Sequence, residues 1–308
     1  MKNLHKISVN LIEILIYFLI LEAVSFYIIF FKYREGIDLY LKNNCPIFSL
    51  IIPEKFRADK RSQIYREPQI YEGTKKHSII LFGCSFAYGE GLEDSQTFAY
   101  KLSKMTKRSV YNRAEGGMGP QIMLYQLQKE NLKQIIPDCD YIIYIYVNDH
   151  VERNKKFRNW PLLYKTGIRY KIKHDKLKLQ TISPPLSYSF VYRIIEGRDD
   201  YRYFINKKYL NGKLKYGDYL FYKVIEESNK LSKELYPKSE FIIFNYSDKP
   251  ITAQEEIEKL GIKIISLSDL TNQDMTLLKY RISDWDEHPN EQAWNLLTPI
   301  FIKKANIT

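Results

Sequence analysis

A serine follows directly on a short apolar run in Ile79-Ile80-Leu81-Phe82-Gly83-Cys84-Ser85-Phe86. At the carboxyl end of a buried strand, where open α/β sheets bind their ligands, such a hydroxyl could act as a nucleophile. A serine hydroxyl is weak in that role, so the chemistry needs a histidine to take its proton and an acid to orient the imidazolium. Far downstream, Asp284-Trp285-Asp286-Glu287-His288-Pro289-Asn290 supplies both residue types in one short stretch. Between them lie a glycine-rich turn, Asn112-Arg113-Ala114-Glu115-Gly116-Gly117-Met118-Gly119, and the polar stretch Val147-Asn148-Asp149-His150. Simpler roles compete: Ser85 could cap a helix and His288 could close a turn.

The elements around these stretches follow from hydrophobic pattern. Residues 78–82, 110–112, 141–147, 241–245 and 262–267 read as strands, and residues 97–105, 120–136, 219–235, 253–260 and 290–304 as helices. The continuous apolar run of residues 141–147 is that of a strand covered on both faces. Pro120 suits a first helical turn and Gly261 a helix end. Strands alternating with helices indicate an α/β fold with a parallel sheet and helices on both faces. Each of the four polar or glycine-rich stretches then falls at a strand end or in a loop. Residues 151–217, rich in Lys, Arg and Tyr and without a clear period, read as an insertion after a strand end. That is a common place for a substrate-binding lid, though an ordinary decorative insertion fits as well.

In this order, the four stretches resemble the four blocks of the SGNH (GDSL-type) hydrolase family, over about residue 78 to the C-terminus. The resemblance implies a flavodoxin-like three-layer sandwich with about five parallel strands. It implies Ser85 as nucleophile and His288 as base. It also implies an oxyanion hole built from the Ser85 and Gly117 backbone N–H groups and the Asn148 side-chain amide. The sequence departs from the family in three places. Cys84 stands where the family has Asp, and Val147 where the third block has its leading Gly. Trp285 occupies the usual place of the acid, three residues before the histidine. Asp286 suits a shorter Asp-x-His-Pro-Asn form, with Asp284 as the alternative acid.

Other site types fit less well. The segment from Gly83 to Gly91 lacks the Gly-Lys-Ser/Thr ending of a phosphate loop. Gly83-Cys84-Ser85-Phe86-Ala87 is not the Gly-x-Ser-x-Gly elbow of α/β-hydrolases. Asp149-His150 could suggest a metal, but His5, His77, His150 and His174 show no ligand spacing, so neither metal nor cofactor is expected.

The chain has 308 residues, 45% of them hydrophobic, a formal charge of +11 and three cysteines, Cys45, Cys84 and Cys139. An odd cysteine number without CxxC spacing argues against a disulfide framework. The basic residues are spread along the chain with no nucleic-acid-binding module, so no nucleic-acid partner is expected. Residues 7–31 are almost all apolar, flanked by Lys2, Lys6, Lys32 and Arg34, and long enough to span a membrane despite Glu13 and Glu22. A signal peptide cleaved near Ala23-Val24-Ser25 is the rival, but the apolar run continues to Phe31. The expected organisation is an N-terminal transmembrane anchor (residues 1–34), a connecting arm (35–76) and an SGNH-like domain (77–308) carrying the insertion at 151–217. Basic residues are nearly balanced across the span, so they do not orient it.

The expected protein is thus a single-pass membrane serine esterase acting through an acyl-serine. By resemblance its substrate is an O-acylated cell-envelope glycan or lipid, which would put the catalytic domain outside the cytoplasm. A member that transfers acetyl groups, or binds surface polysaccharide without catalysis, is the alternative. A thioesterase or lysophospholipase would need an elongated apolar groove beside Ser85.

Overall fold

A computed structural model describes residues 16–17, 19–20, 77–155, 168–181 and 214–307. The connecting arm and most of the expected anchor lie outside these residues. So do residues 156–167 and 182–213 of the insertion. Ile16, Tyr17, Leu19 and Ile20 are helical and exposed. Among the described residues no helix is long and apolar enough to cross a membrane.

In chain order the elements are β1 (Ser78–Phe82), α1 (Ser85–Tyr88), α2 (Phe98–Thr106), β2 (Val110–Asn112), α3 (Pro120–Lys129), α4 (Leu132–Ile135), β3 (Cys139–Tyr146) and α5 (His150–Lys155). They continue with β4 (Ile168–Lys173), β5 (Lys176–Thr181), α6 (Tyr216–Leu235), β6 (Glu240–Asn245), α7 (Gln254–Glu258), β7 (Lys263–Ser266), α8 (Leu267–Leu270) and α9 (Glu291–Ala305). Five strands form one parallel sheet in the order β2-β1-β3-β6-β7. Counting these five alone, that is the 2-1-3-4-5 order of flavodoxin-like sheets, whose ligand crevice lies at the carboxyl ends beside β1.

Alternation along the strands divides the core. Ile79, Leu81, Ile143, Ile145, Ile242 and Phe244 share one buried face with α2 and α9. There Phe98, Phe244, Trp294 and Phe301 pack ring against ring, with centroids 5.0 to 6.4 Å apart. In α9, Ala293, Trp294, Leu297, Phe301 and Ala305 recur at helical spacing and are fully buried. Ile80, Phe82, Ile142, Tyr144 and Ile243 point to the other face and are equally buried.

Two expectations need correction. The helix read over residues 120–136 breaks at Glu130, and a separate turn of helix follows at Leu132–Ile135. The region read as lacking a period contains a hairpin. Ile168, Tyr170 and Ile172 are buried along β4, and His174 and Asp175 both take positive φ, as a two-residue type I′ turn requires. The Tyr170 hydroxyl donates to Gln128 Oε1 at 2.6 Å, tying the hairpin to α3.

Candidate active site

The chain turns sharply after β1, and Gly83 is what permits it. Its φ is +150°, and an added Cβ would lie 2.7 Å from the Ala87 Cβ and 3.0 Å from the Ile145 carbonyl oxygen. No side chain fits there, so the helical turn α1 can start directly above the strand end. Ser85 is the first residue of α1, so its backbone N–H is one of the donors that a helix leaves unpaired. Its hydroxyl is buried in the site, with the residue 5% exposed.

His288 reaches Ser85 from the loop before α9. Its Nε2 lies 2.7 Å from Ser85 Oγ and its Nδ1 2.5 Å from Asp286 Oδ1. The same carboxylate oxygen accepts the His288 backbone N–H at 3.0 Å. An ionised carboxylate only accepts, so Nδ1 carries the proton and Nε2 is left to accept from the serine hydroxyl. Burial pushes the Asp286 carboxyl up, but hydrogen bonds from the His288 amide and ring, and attraction to its charged form, together hold it below the usual aspartate value. Asp284 is exposed, and among the described residues no hydrogen bond joins it to His288. Of the two candidate acids, Asp286 makes the contact.

The loop bearing this pair is pinned at several points. Asn290 caps α9 by accepting the Ala293 N–H, and its Nδ2 donates to the Lys279 and Arg281 carbonyls. Ile282 N–H donates to the His288 carbonyl at 2.9 Å. The Phe86 ring packs beside the imidazole at 5.0 Å.

The glycine-rich turn lies against the end of β1. Arg113 N–H donates to Leu81 O, and Glu115 N–H to Gly83 O. Asn112 Nδ2 donates to the Ala87 carbonyl at 2.9 Å, joining this turn to α1. Met118 N–H then closes a turn onto Glu115 O, with Gly117 at φ +74° as the third position of a type II turn demands. That closure leaves the Gly117 N–H outside the turn's own hydrogen bond.

Asn148 is placed differently from the other site residues. It is exposed, its Oδ1 accepts from Ser247 Oγ, and its Nδ2 donates to Asp248 Oδ1 at 3.3 Å. An amide nitrogen has two hydrogens, so one remains for a substrate. The strand-end neighbours Ser247 and Asp248 therefore orient the amide, a role with no signature in the sequence.

Arg153 is a further residue that sequence reasoning missed. It is buried on α5, its Nη2 lies 2.6 Å from Asp149 Oδ2, and its Nη1 donates to the Met118 carbonyl at 3.2 Å. It thereby links the turn carrying Gly117 to the stretch carrying Asn148. Cys84, fully buried, faces the same guanidinium. Burial pushes its thiol up against the opposing pull of Arg153, and it stands where the resemblance would put an acid. Asp149 and His150 turn to separate partners, Asp149 to the Arg153 guanidinium and His150 to Tyr144. The His150 Nδ1 lies 2.6 Å from the Tyr144 hydroxyl, and burial followed by the Arg153 charge holds the ring well below the usual histidine range.

No family model matches the chain, and no curated protein matches it. Solved structures do. A protein of Desulfitobacterium hafniense DCB-2 assigned to the lipolytic G-D-S-L family is 9% identical with a TM-score of 0.40, over 76% of this chain and 100% of its own. The acetyl xylan esterase Est2A of Butyrivibrio proteoclasticus is 12% identical with a TM-score of 0.44, over 75% and 64%. A carbohydrate esterase family 2 enzyme of Corynascus thermopiles (Myceliophthora fergusii) is 12% identical with a TM-score of 0.43, over 75% and 66%. Likenesses at this level do not bear on chemistry, which rests on the geometry above. The four stretches that resemble the SGNH (GDSL-type) blocks thus lie on a domain whose main sheet has the 2-1-3-4-5 order, and the first and last of them meet in the contact between Ser85, His288 and Asp286.

Proposed function

We propose that the protein is a serine esterase that works through an acyl-serine, with Ser85 as nucleophile, His288 as base and Asp286 as the orienting acid. One observation carries this reading: the unbroken hydrogen-bond series Ser85 Oγ–His288 Nε2 and His288 Nδ1–Asp286 Oδ1 at the carboxyl end of β1. As Ser85 Oγ attacks the ester carbonyl, its proton passes to Nε2, and Asp286 stabilises the imidazolium that forms. The negative charge on the carbonyl oxygen meets the N–H groups of Ser85 and Gly117 and the second Asn148 Nδ2 hydrogen. One such donor is worth about 3–4 kcal/mol to the transition state. Nε2 then returns the proton to the leaving alcohol oxygen, and a water, or an acceptor hydroxyl, takes the acyl group by the same steps in reverse.

The substrate we infer is an O-acylated glycan or lipid of the cell envelope, met by a single-pass protein anchored through residues 7–31. Two observations support it. The N-terminal stretch is apolar enough to hold the domain at a membrane, and Trp285, 83% exposed between Asp284 and the triad's Asp286, offers an open aromatic face beside the site. Aromatic faces of this kind pack well against the apolar faces of sugar rings. The test is acyl release by the detergent-solubilised full chain from an O-acetylated polysaccharide and from long-chain lipid esters, beside Ser85→Ala. Serine-dependent release from either supports the reading. Release equal in the serine variant, or from neither, contradicts it.

A further inference from the structure

A charged side chain outside the triad stands beside its base. Glu90 lies just past Gly89, the residue that caps α1, and its backbone is locked there: both the Gly89 and Glu90 N–H groups donate to Ser85 O. Its Oε2 lies 3.9 Å from His288 Nε2, the nitrogen that faces Ser85 Oγ, and its side chain is 57% exposed. The same oxygen would be 3.4 Å from a Cβ on Gly116, so the carboxylate also borders the turn that bears Gly117. At 3.9 Å it makes no hydrogen bond to the imidazole, whose other nitrogen already has Asp286. It is therefore open to a ligand.

The chemistry decides which part of the substrate it meets. The leaving oxygen takes its proton from His288 Nε2, so the alcohol half of the ester must sit beside that nitrogen and hence beside Glu90. We propose that Glu90 determines specificity: it favours esters whose alcohol half is cationic or rich in hydroxyl donors, as in an amino sugar, and disfavours those whose alcohol half is anionic. This rests on the esterase reading and narrows it, since it selects against esters of acidic sugars and of anionic lipid headgroups. The fixed carboxylate works against the chain's overall formal charge of +11, which by itself would draw anionic substrates.

The experiment compares kcat/KM of the solubilised full chain, Glu90→Gln and Glu90→Lys for three acetate esters: acetylcholine, its uncharged isostere 3,3-dimethylbutyl acetate, and O-acetylglycolate. A unit charge a few ångströms away near the surface predicts a cation-to-anion preference that falls about tenfold in Glu90→Gln. It falls further in Glu90→Lys, with the uncharged ester between the other two. A ratio equal to wild type in both variants overturns the proposal, whether or not overall turnover drops. Fluorophosphonate labelling of the wild type reports separately on the reading beneath. Labelling with an unchanged ratio removes Glu90's role alone, and absence of labelling removes both.

Discussion

The two halves of the site are held in different ways. The base and acid sit on one short loop, where Asp286 and His288 are two residues apart and Asn290 ties the loop to its own helix. The oxyanion half is assembled from distant pieces. Arg153 reaches back to the Met118 carbonyl, and Asn148 takes its orientation from Ser247 and Asp248, about a hundred residues downstream. The first half is fixed by local geometry, the second by tertiary contacts. Substitutions should expose the difference: the local half answers only to its own residues, while the other half fails through positions that never touch substrate.

The largest effects belong to the local half. His288→Ala and Asp286→Asn should each lower kcat by about 10⁴-fold, as loss of base or orienting acid does in serine triads, with little change in KM. Asp284→Asn should stay within about twofold, since surface changes away from partners have small effects. Steady-state hydrolysis of an activated acetate ester checks all three. A deeper loss in Asp284→Asn than in Asp286→Asn would reverse the assignment.

In the assembled half, Asn148→Ala should cost about 10²–10³-fold in kcat, the usual consequence of removing one oxyanion donor. Arg153→Met acts without contacting substrate. It frees the Met118 carbonyl and Asp149, and should lower kcat by about tenfold through a loosened Gly117 turn. Stability should fall by about 1–3 kcal/mol, less than for a fully buried pair, because Asp149 is 44% exposed. Urea denaturation beside kinetics separates the two consequences. A pure stability loss with kcat intact would mean that Arg153 does not position the turn.

The smallest expected effect is on acid stability. A carboxyl held below its unfolded value of about 3.8 stabilises the fold fully above that value and loses its contribution as pH falls through the lower folded one. The difference in urea midpoint between wild type and Asp286→Asn should therefore be level from about pH 5 upward and shrink below about pH 4. A difference that grows on acidification would contradict the depressed carboxyl.

This contrast also marks what the sequence made legible. The apolar runs gave the five parallel strands, Ser85 and His288 could be singled out as a strand-end hydroxyl and a base beside acids, and Gly117 and Asn148 could be named through the family resemblance. Asp286 could be preferred to Asp284 only through the resemblance to a shorter Asp-x-His-Pro-Asn block, because the physical ground for the choice is one carboxylate oxygen accepting both the amide and the ring of His288. Arg153 left no trace, since a lone arginine after Asp149 reads as an ordinary helical ion pair. Its link to Met118 appears only when α5 is packed beside the turn that leads into α3. Glu90 stood within the serine stretch, but its approach to His288 depends on a loop some two hundred residues away. The hairpin at β4 and β5 was the avoidable miss, since Ile168, Tyr170 and Ile172 alternate with charged residues before a two-residue turn, and Leu177 and Leu179 do so after it.

The central claim is that Ser85 is an activated nucleophile, and covalent labelling tests it most directly. The detergent-solubilised full chain is treated with a fluorophosphonate probe beside Ser85→Ala and His288→Ala, each first shown to be folded by circular dichroism. The account predicts one label per chain, on Ser85, with none in Ser85→Ala and a rate in His288→Ala lower by about 10³-fold or more. A folded wild type that takes no label, or a label that persists in Ser85→Ala, would contradict it.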